Sequence, residues 1–275
     1  MRTKRILPAL ILVSALGIGL ATADGNTTAY VVHGINDQDF PTLGLEPGLP
    51  VDVALSGLGC PLQGFKFGER VGPLSIPAGN YDITVSLADE GTPCGGAAVI
   101  VLNGVPLAEG ANSTIVAFRT YNGDPGPGDQ LGLGVTAGLF ANDFSYTGRG
   151  KARMLVHHTA KAPSVDVVAS RDYWDMGAPS VTVPDLTNPT APGDVVLSQI
   201  NAEFKPGEWD VALEVGGDTV FGPDTLELKP FTSTYIYAVG DFAGGTFQYL
   251  IYTEEGLKEM RGRGSKSMKS VRRSR

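Results

Sequence analysis

The feature that most constrains this chain is an internal duplication. Tyr30-Val31-Val32-His33 recurs as Met154-Leu155-Val156-His157, and Pro50-Val51-Asp52-Val53 recurs as Ser164-Val165-Asp166-Val167. The nine residues from Pro77 to Val85 recur as Lys205 to Leu213, and Ser113–Ala117 recurs loosely as Ser233–Tyr237. The offsets are 124, 114, 128 and 120, so the order of the blocks holds while the loops between them change length. A period this long exceeds the repeat of any solenoid. Two homologous units in tandem account for it.

Each block reads as a strand. Tyr81, Ile83, Val85 and Leu87 alternate with Asp82, Thr84 and Ser86, and Trp209, Val211, Leu213 and Val215 alternate with Asp210, Ala212 and Glu214. This is the period of a strand with one buried face. Pro77-Ala78-Gly79 and Lys205-Pro206-Gly207 stand just upstream, where a tight turn needs fixed or positive φ. A closing hairpin is expected from Tyr235–Asp241 through Gly244-Gly245 to Thr246–Tyr252. Glycine and proline make up 56 of the 275 residues, and no segment carries a sustained helical stripe with caps. The pattern predicts an all-β chain of two tandem immunoglobulin-like or transthyretin-like β-sandwich domains. Their expected spans are residues 24–146 and 147–254, with the boundary near Phe144–Lys151 and a long surface loop at Asn122–Asp129.

The ends of the chain bear on location. Arg2, Lys4 and Arg5 precede an apolar run from Ile6 to Leu20, and Ala21-Thr22-Ala23 supplies a small-x-small cleavage pattern. Residues 1–23 read as an export signal, too short in its apolar part for a spanning helix. The chain is therefore expected to be secreted or extracytoplasmic, with no transmembrane segment after cleavage. Residues 24–257 carry a formal charge of −18, whereas Lys258–Arg275 holds eight basic residues and one acidic one. An acidic body argues against specific nucleic-acid binding. Residues 255–275 are expected to form a disordered basic tail able to reach an anionic surface. The partner at the envelope or outside the cell stays unknown.

Two cysteines, Cys60 and Cys94, lie in loop-like Gly-Cys-Pro and Pro-Cys-Gly contexts. In an exported chain an even count predicts one disulfide, with two free thiols as the alternative.

The segment Val156-His157 followed by Ala162-Pro163-Ser164-Val165-Asp166-Val167 resembles the signature of an exported bacterial and archaeal family, domain of unknown function 4397. Pro206-Gly207-Glu208-Trp209 is similar to its second motif, as are Pro50–Val53 and Pro77-Ala78-Gly79-Asn80-Tyr81 in the first unit. His33 stands 19 residues from Asp52, against 9 between His157 and Asp166, so an insertion of 10 separates the first pair. The resemblance implies tandem β-sandwiches and carries no catalytic residues over. It marks His33, Asp52, Gly79, Tyr81, His157, Pro163, Asp166, Gly207 and Trp209 as motif positions without an assigned role.

A His–Asp pair in each unit would suit a general base, but no Gly-x-Ser-x-Gly elbow supplies a nucleophile. The histidines read instead as strand-end groups bonded to backbone, and Asp52 and Asp166 as polar strand positions. His157 and His158 point to opposite faces of a strand and cannot share one ion. Asp37/Asp39, Asp124/Asp129 and Asp172/Asp175 offer calcium ligands without an EF-hand or nonapeptide spacing. Tyr121, Tyr173 and Trp174 could form a sugar platform, though ordinary packing is the expected use of such rings. The chain is thus expected to be a non-enzymatic structural, adhesive or ligand-binding protein without cofactor or metal. A carbohydrate-binding module is the alternative, and a secreted hydrolase a more remote one.

Overall fold

The structure is a computed structural model that describes residues 25–192 and 199–255. The expected export signal lies outside the described residues, as does the basic tail apart from Glu255.

The first unit holds β1 (Asn26–His33), β2 (Val51–Leu55), β3 (Gly59–Phe65), β4 (Arg70–Pro77), β5 (Gly79–Leu87), β6 (Ala98–Leu107), β7 (Asn112–Arg119) and β8 (Val135–Ala141). The second holds β9 (Ala152–His158), β10 (Val165–Ser170), β11 (Ser180–Leu186), β12 (Gln199–Phe204), β13 (Gly207–Val215), β14 (Asp218–Leu228), β15 (Thr232–Val239) and β16 (Gln248–Glu255). Among the described residues the helical content is two three-residue 3-10 turns, Asp37–Asp39 and Gly148–Gly150. β16 takes in Glu255, which the sequence places in the tail. The last hairpin keeps the expected register, with Tyr235 opposite Tyr252, but extends three residues further from the turn on each strand and ends two residues short of the expected limits at the turn.

Each unit is a sandwich of two four-stranded sheets, ordered β4-β1-β7-β8 over β3-β2-β5-β6 and then β12-β9-β15-β16 over β11-β10-β13-β14. The second unit repeats the first strand for strand. β1 runs parallel to β7 and β9 parallel to β15, while the other pairings are antiparallel. Of the two sandwich types expected, this eight-stranded arrangement is the transthyretin-like one, and it departs from the seven-stranded immunoglobulin division.

Each sandwich has its own apolar core. Val31, Val53, Ile83 and Ile115 belong to the first, and Met154, Val167, Trp209 and Ile236 to the second. A third cluster joins Val32, Val116, Phe118 and Phe140 of the first unit to Leu155, Tyr235, Tyr237 and Val239 of the second. Sheet β4-β1-β7-β8 therefore packs its outer face on that of β12-β9-β15-β16, giving four stacked layers. Arg70 staples the seam: its guanidinium lies 4.0 Å from the Tyr30 ring centroid and 5.5 Å from those of Tyr235 and Tyr252, and it pairs with Glu254. The Tyr252 hydroxyl donates to the Gly68 carbonyl (2.9 Å), and Asn188 Nδ2 donates to the carbonyls of Arg119 (3.0 Å) and Ala160 (2.8 Å). Phe144, in the connecting segment, packs between Tyr30 and Tyr235 with centroids 6.1 Å from each. The segment between the units is thus part of their interface.

Candidate functional site

The motif histidines and aspartates lie where β1 and β9 end and β2 and β10 begin, whereas Gly79, Tyr81, Gly207 and Trp209 lie at the starts of β5 and β13. His33 is buried, and its Nε2 donates to the Leu49 carbonyl (2.8 Å) while Nδ1 accepts from the Ile35 amide (3.3 Å). Both ring nitrogens are engaged with backbone, which fixes the Nε2–H tautomer. Burial lowers the imidazole pKa from 6.5 to about 4. The ring therefore bridges the end of β1 to the residue two before Val51, across the inserted loop.

The corresponding clamp in the second unit is made by His158, whose Nε2 bonds the Pro163 carbonyl at 2.9 Å. Pro163 stands two residues before Val165, as Leu49 stands two before Val51. In the parallel ladders Val31 faces Ile115 and Val156 faces Ile236, and all four side chains point into the two sandwich cores. His33 thus shares a face with His158, and the matching of His33 to His157 is one residue out of register. A one-residue slip moves a side chain to the opposite face. His157 lies there, in the seam between the units. It stacks on Tyr237 (centroids 4.6 Å apart, planes at 10°) and meets Phe140 edge-on at 4.9 Å. Neither ring nitrogen has a hydrogen-bond partner, and burial takes its pKa to about 3.

The aspartates do not pair with the histidines. Asp52 Oδ1 accepts from the Gly64 amide (2.8 Å) and Oδ2 from the Cys94 amide (2.7 Å). Asp166 Oδ1 accepts from the Asp185 amide at 3.0 Å. Gly64 (φ 59°) and Asp185 (φ 58°) are equivalent left-handed residues in β3 and β11, where the pairing with β2 and β10 is irregular. Each motif aspartate holds the amide freed by a bulge in the neighbouring edge strand. In the first unit it also ties down the loop carrying Cys94.

Cys60 and Cys94 are joined, with Cα atoms 6.0 Å apart. The bond links β3 to the β5–β6 loop, and closing a loop of this length is worth about 3–4 kcal/mol in the chain-entropy picture. Among the described residues, Asp52, Cys60 and Cys94 are the one group of three metal-capable side chains in mutual reach. With its sulfurs bonded to each other, that group offers no thiolate.

The aromatic motif positions serve the turn before β5 and β13. The Tyr81 hydroxyl donates to the Pro77 carbonyl (2.7 Å), and Trp209 Nε1 donates to the equivalent Lys205 carbonyl (2.8 Å). Gly207 has φ 122°, and a Cβ there would meet Arg171 Nη1 at 2.5 Å. That guanidinium covers the Trp209 ring, 5.0 Å from its centroid, so a side chain at 207 would be strained by the positive φ and would also displace Arg171 from the ring. Gly79 opens β5 at the matching place.

The acidic loops are engaged with their own backbone. Asp129 accepts from the amides of Leu131, Gly132, Gly134 and Val135, and Asp172 and Asp175 accept from amides two residues on. Asp39 caps its 3-10 turn through the Asn36 amide and bonds the Thr246 hydroxyl. Of the loop aromatics, Trp174 is 77% exposed, which overturns the packing expected for it. The neighbouring Tyr173 ring meets it edge-on at 5.1 Å, and the Tyr173 hydroxyl is bonded to Glu214 and Thr219. Tyr121 sits apart, against the second unit through its amide and the Thr190 hydroxyl.

No helix among the described residues is long and apolar enough to cross a membrane. No curated protein matches the sequence. Among solved structures, a protein of Bacteroides ovatus provisionally assigned to cell adhesion aligns at 11% identity over 84% of this chain and 97% of its own, with a TM-score of 0.24. The TIE protein of Bacillus anthracis aligns at 9% identity over 79% of this chain, with a TM-score of 0.20, and the match spans 49% of that protein. Residues 45–168, from the loop before β2 to within β10, match the family described as Domain of unknown function (DUF4397), the family that the motifs of this chain resemble.

Proposed function

We propose that this chain is an extracytoplasmic, non-enzymatic protein with a structural or adhesive role at the cell envelope. The observation that carries the reading is the use made of the motif side chains. His33 and His158 clamp carbonyls, Asp52 and Asp166 hold bulge amides, and Tyr81 and Trp209 anchor a turn. Each of these six polar groups is bound to backbone, and His157 is sealed between Tyr237 and Phe140. The disulfide supports an oxidising compartment, in keeping with the export signal read in residues 1–23. The basic tail is the element proposed to engage an anionic surface, and each Lys or Arg close to such a surface contributes about 1 kcal/mol.

Two measurements test this. Purified protein should turn over none of a panel of ester, peptide and glycan substrates, and activity abolished by His33→Ala would overturn the reading. Retention on anionic envelopes should fall with salt and be lost in a chain ending at Gly256. Equal retention of both chains would remove the tail from the proposal. A carbohydrate-binding reading stays in view because of one observation, the exposed Trp174 ring braced by Tyr173. Glycan-array binding lost on Trp174→Ala would favour it.

A further inference from the structure

The interior of the first sandwich is not filled. Between its sheets lies a cavity of about 290 Å³, lined by Val31, Val53, Ile83, Val85, Ile115 and other apolar side chains. Two polar residues reach it, His33 and Ser75. The ring nitrogens of His33 are already bonded to Leu49 and Ile35, so the ring presents carbon to the space. Ser75 is exposed, in β4.

The opening follows from topology. β3 and β4 are the edge strands of their respective sheets on the same side of the sandwich, and they do not pair with each other. Leu58, 42% exposed, and Pro61, exposed on β3, line the same cavity, so it reaches the surface along this edge.

The duplication supplies an internal comparison. Ile76 on β4 corresponds to Phe204 on β12, and Tyr81 corresponds to Trp209. In the second sandwich these two rings meet edge-on, 4.9 Å apart, inside the core. One architecture thus sets two packed rings in the core of one copy, where the other has Ile76 on the wall of the cavity. Close packing is the rule for protein interiors, and a void of this size forfeits dispersion contacts on every wall.

We infer that the first sandwich binds one small, largely aliphatic molecule, with its chain between the sheets and its polar end at Ser75. The chemistry of the lining sets the class. A buried charge or hydroxyl would find no free partner on the cavity wall and would cost several kcal/mol. The size sets the length: an engineered apolar cavity of about 150 Å³ takes benzene, and this one has about twice that volume, room for a medium-length alkyl or acyl chain. The inference stands apart from the structural reading above, since either can fail alone.

The test is titration of the purified protein, disulfide intact, with decanoate and decanol, followed by displacement of a naphthylamine fluorophore and by methyl-detected NMR. Saturable one-to-one binding is expected, with shifts confined to Val31, Val53, Ile83 and Ile115. Ile76→Phe, which copies the second sandwich, should weaken binding by about tenfold or more, the scale set by one or two methylenes in an apolar pocket. Should that variant fail to fold, Leu58→Glu at the opening puts a charge in the path without touching the core, and it should weaken decanoate more than decanol. Absence of saturable binding would overturn the inference. So would shifts centred on the second sandwich, or affinity unchanged in whichever variants fold.

Discussion

Replacing His157 by phenylalanine should make the protein resistant to mild acid. The imidazole is sealed between Tyr237 and Phe140 with no partner for either nitrogen, and burial lowers its pKa from 6.5 to about 3. In the unfolded chain it takes a proton near pH 6.5, whereas in the folded chain it stays neutral. The stability that depends on its neutrality is therefore complete above pH 6.5 and falls as the pH drops towards 3. The slope is about 1.4 kcal/mol per pH unit, so at pH 4.5 the wild type has lost about 3 kcal/mol to this one ring. His33 adds a similar loss down to about pH 4, and buried His158 acts in the same direction. Asp39, whose pKa is raised by burial, acts in the opposite sense. Those terms are common to both proteins and drop out of the difference. At pH 7, removing two unpartnered buried nitrogens should be neutral or stabilising by about 1–2 kcal/mol. Urea unfolding of wild type and His157→Phe at several pH values between 7 and 4.5 measures the gap. Any packing strain from the larger ring offsets the two curves by a constant and leaves their divergence intact. The gap should widen by about 3 kcal/mol over the range. A constant gap would refute the argument.

Other consequences are equally open to measurement. Reducing Cys60–Cys94 should lower unfolding stability by about 3–4 kcal/mol, read as a shift in urea midpoint with and without reductant. Asp52→Ala leaves two amides without an acceptor and should cost about 2–4 kcal/mol, with Asp52→Asn less severe and Asp166→Ala milder because one amide is involved. Arg70→Met removes the cation–π contacts across the seam and leaves Glu254 unpaired, a loss of about 2–4 kcal/mol by calorimetry. Limited proteolysis should leave Phe144–Lys151 uncut in the native protein, because Phe144 is packed into the seam and Thr147 bonds the Lys151 carbonyl. Early cleavage there would mean that the units separate.

The legible parts of the fold are the strands with one face on a core. The blocks around Val51/Val165 and Ile83/Val211 keep their offsets of 114 and 128 in the structure, since Val53 pairs with Val85 as Val167 pairs with Leu213. The blocks read one residue out are those of β1/β9 and β7/β15, and they fail for a shared reason. These four strands are the central strands of the two sheets that meet at the seam, so both their faces are buried. Burial on both sides erases the alternation that fixes register. Val31-Val32-His33 then matches Leu155-Val156-His157 as well as it matches Val156-His157-His158. The doubled histidine was the available signal, because one member had to face the core and the other the neighbouring sheet. The cavity had no signature at all. Its wall includes Ile76 where the second sandwich has Phe204, and sequence spacing gives no sign of the space between the sheets.

The central claim is that His33 and His158, the equivalent histidines of the two units, are structural clamps on backbone carbonyls. Nitrogen-detected NMR of the imidazole rings across a pH titration tests it most directly. The account predicts that His33 and His158 are both in the Nε2–H tautomer, hydrogen-bonded through that nitrogen to Leu49 and Pro163, and that neither titrates near 6.5. An imidazole that titrates near 6.5, or one that carries its proton on Nδ1 towards a carboxylate, would contradict it.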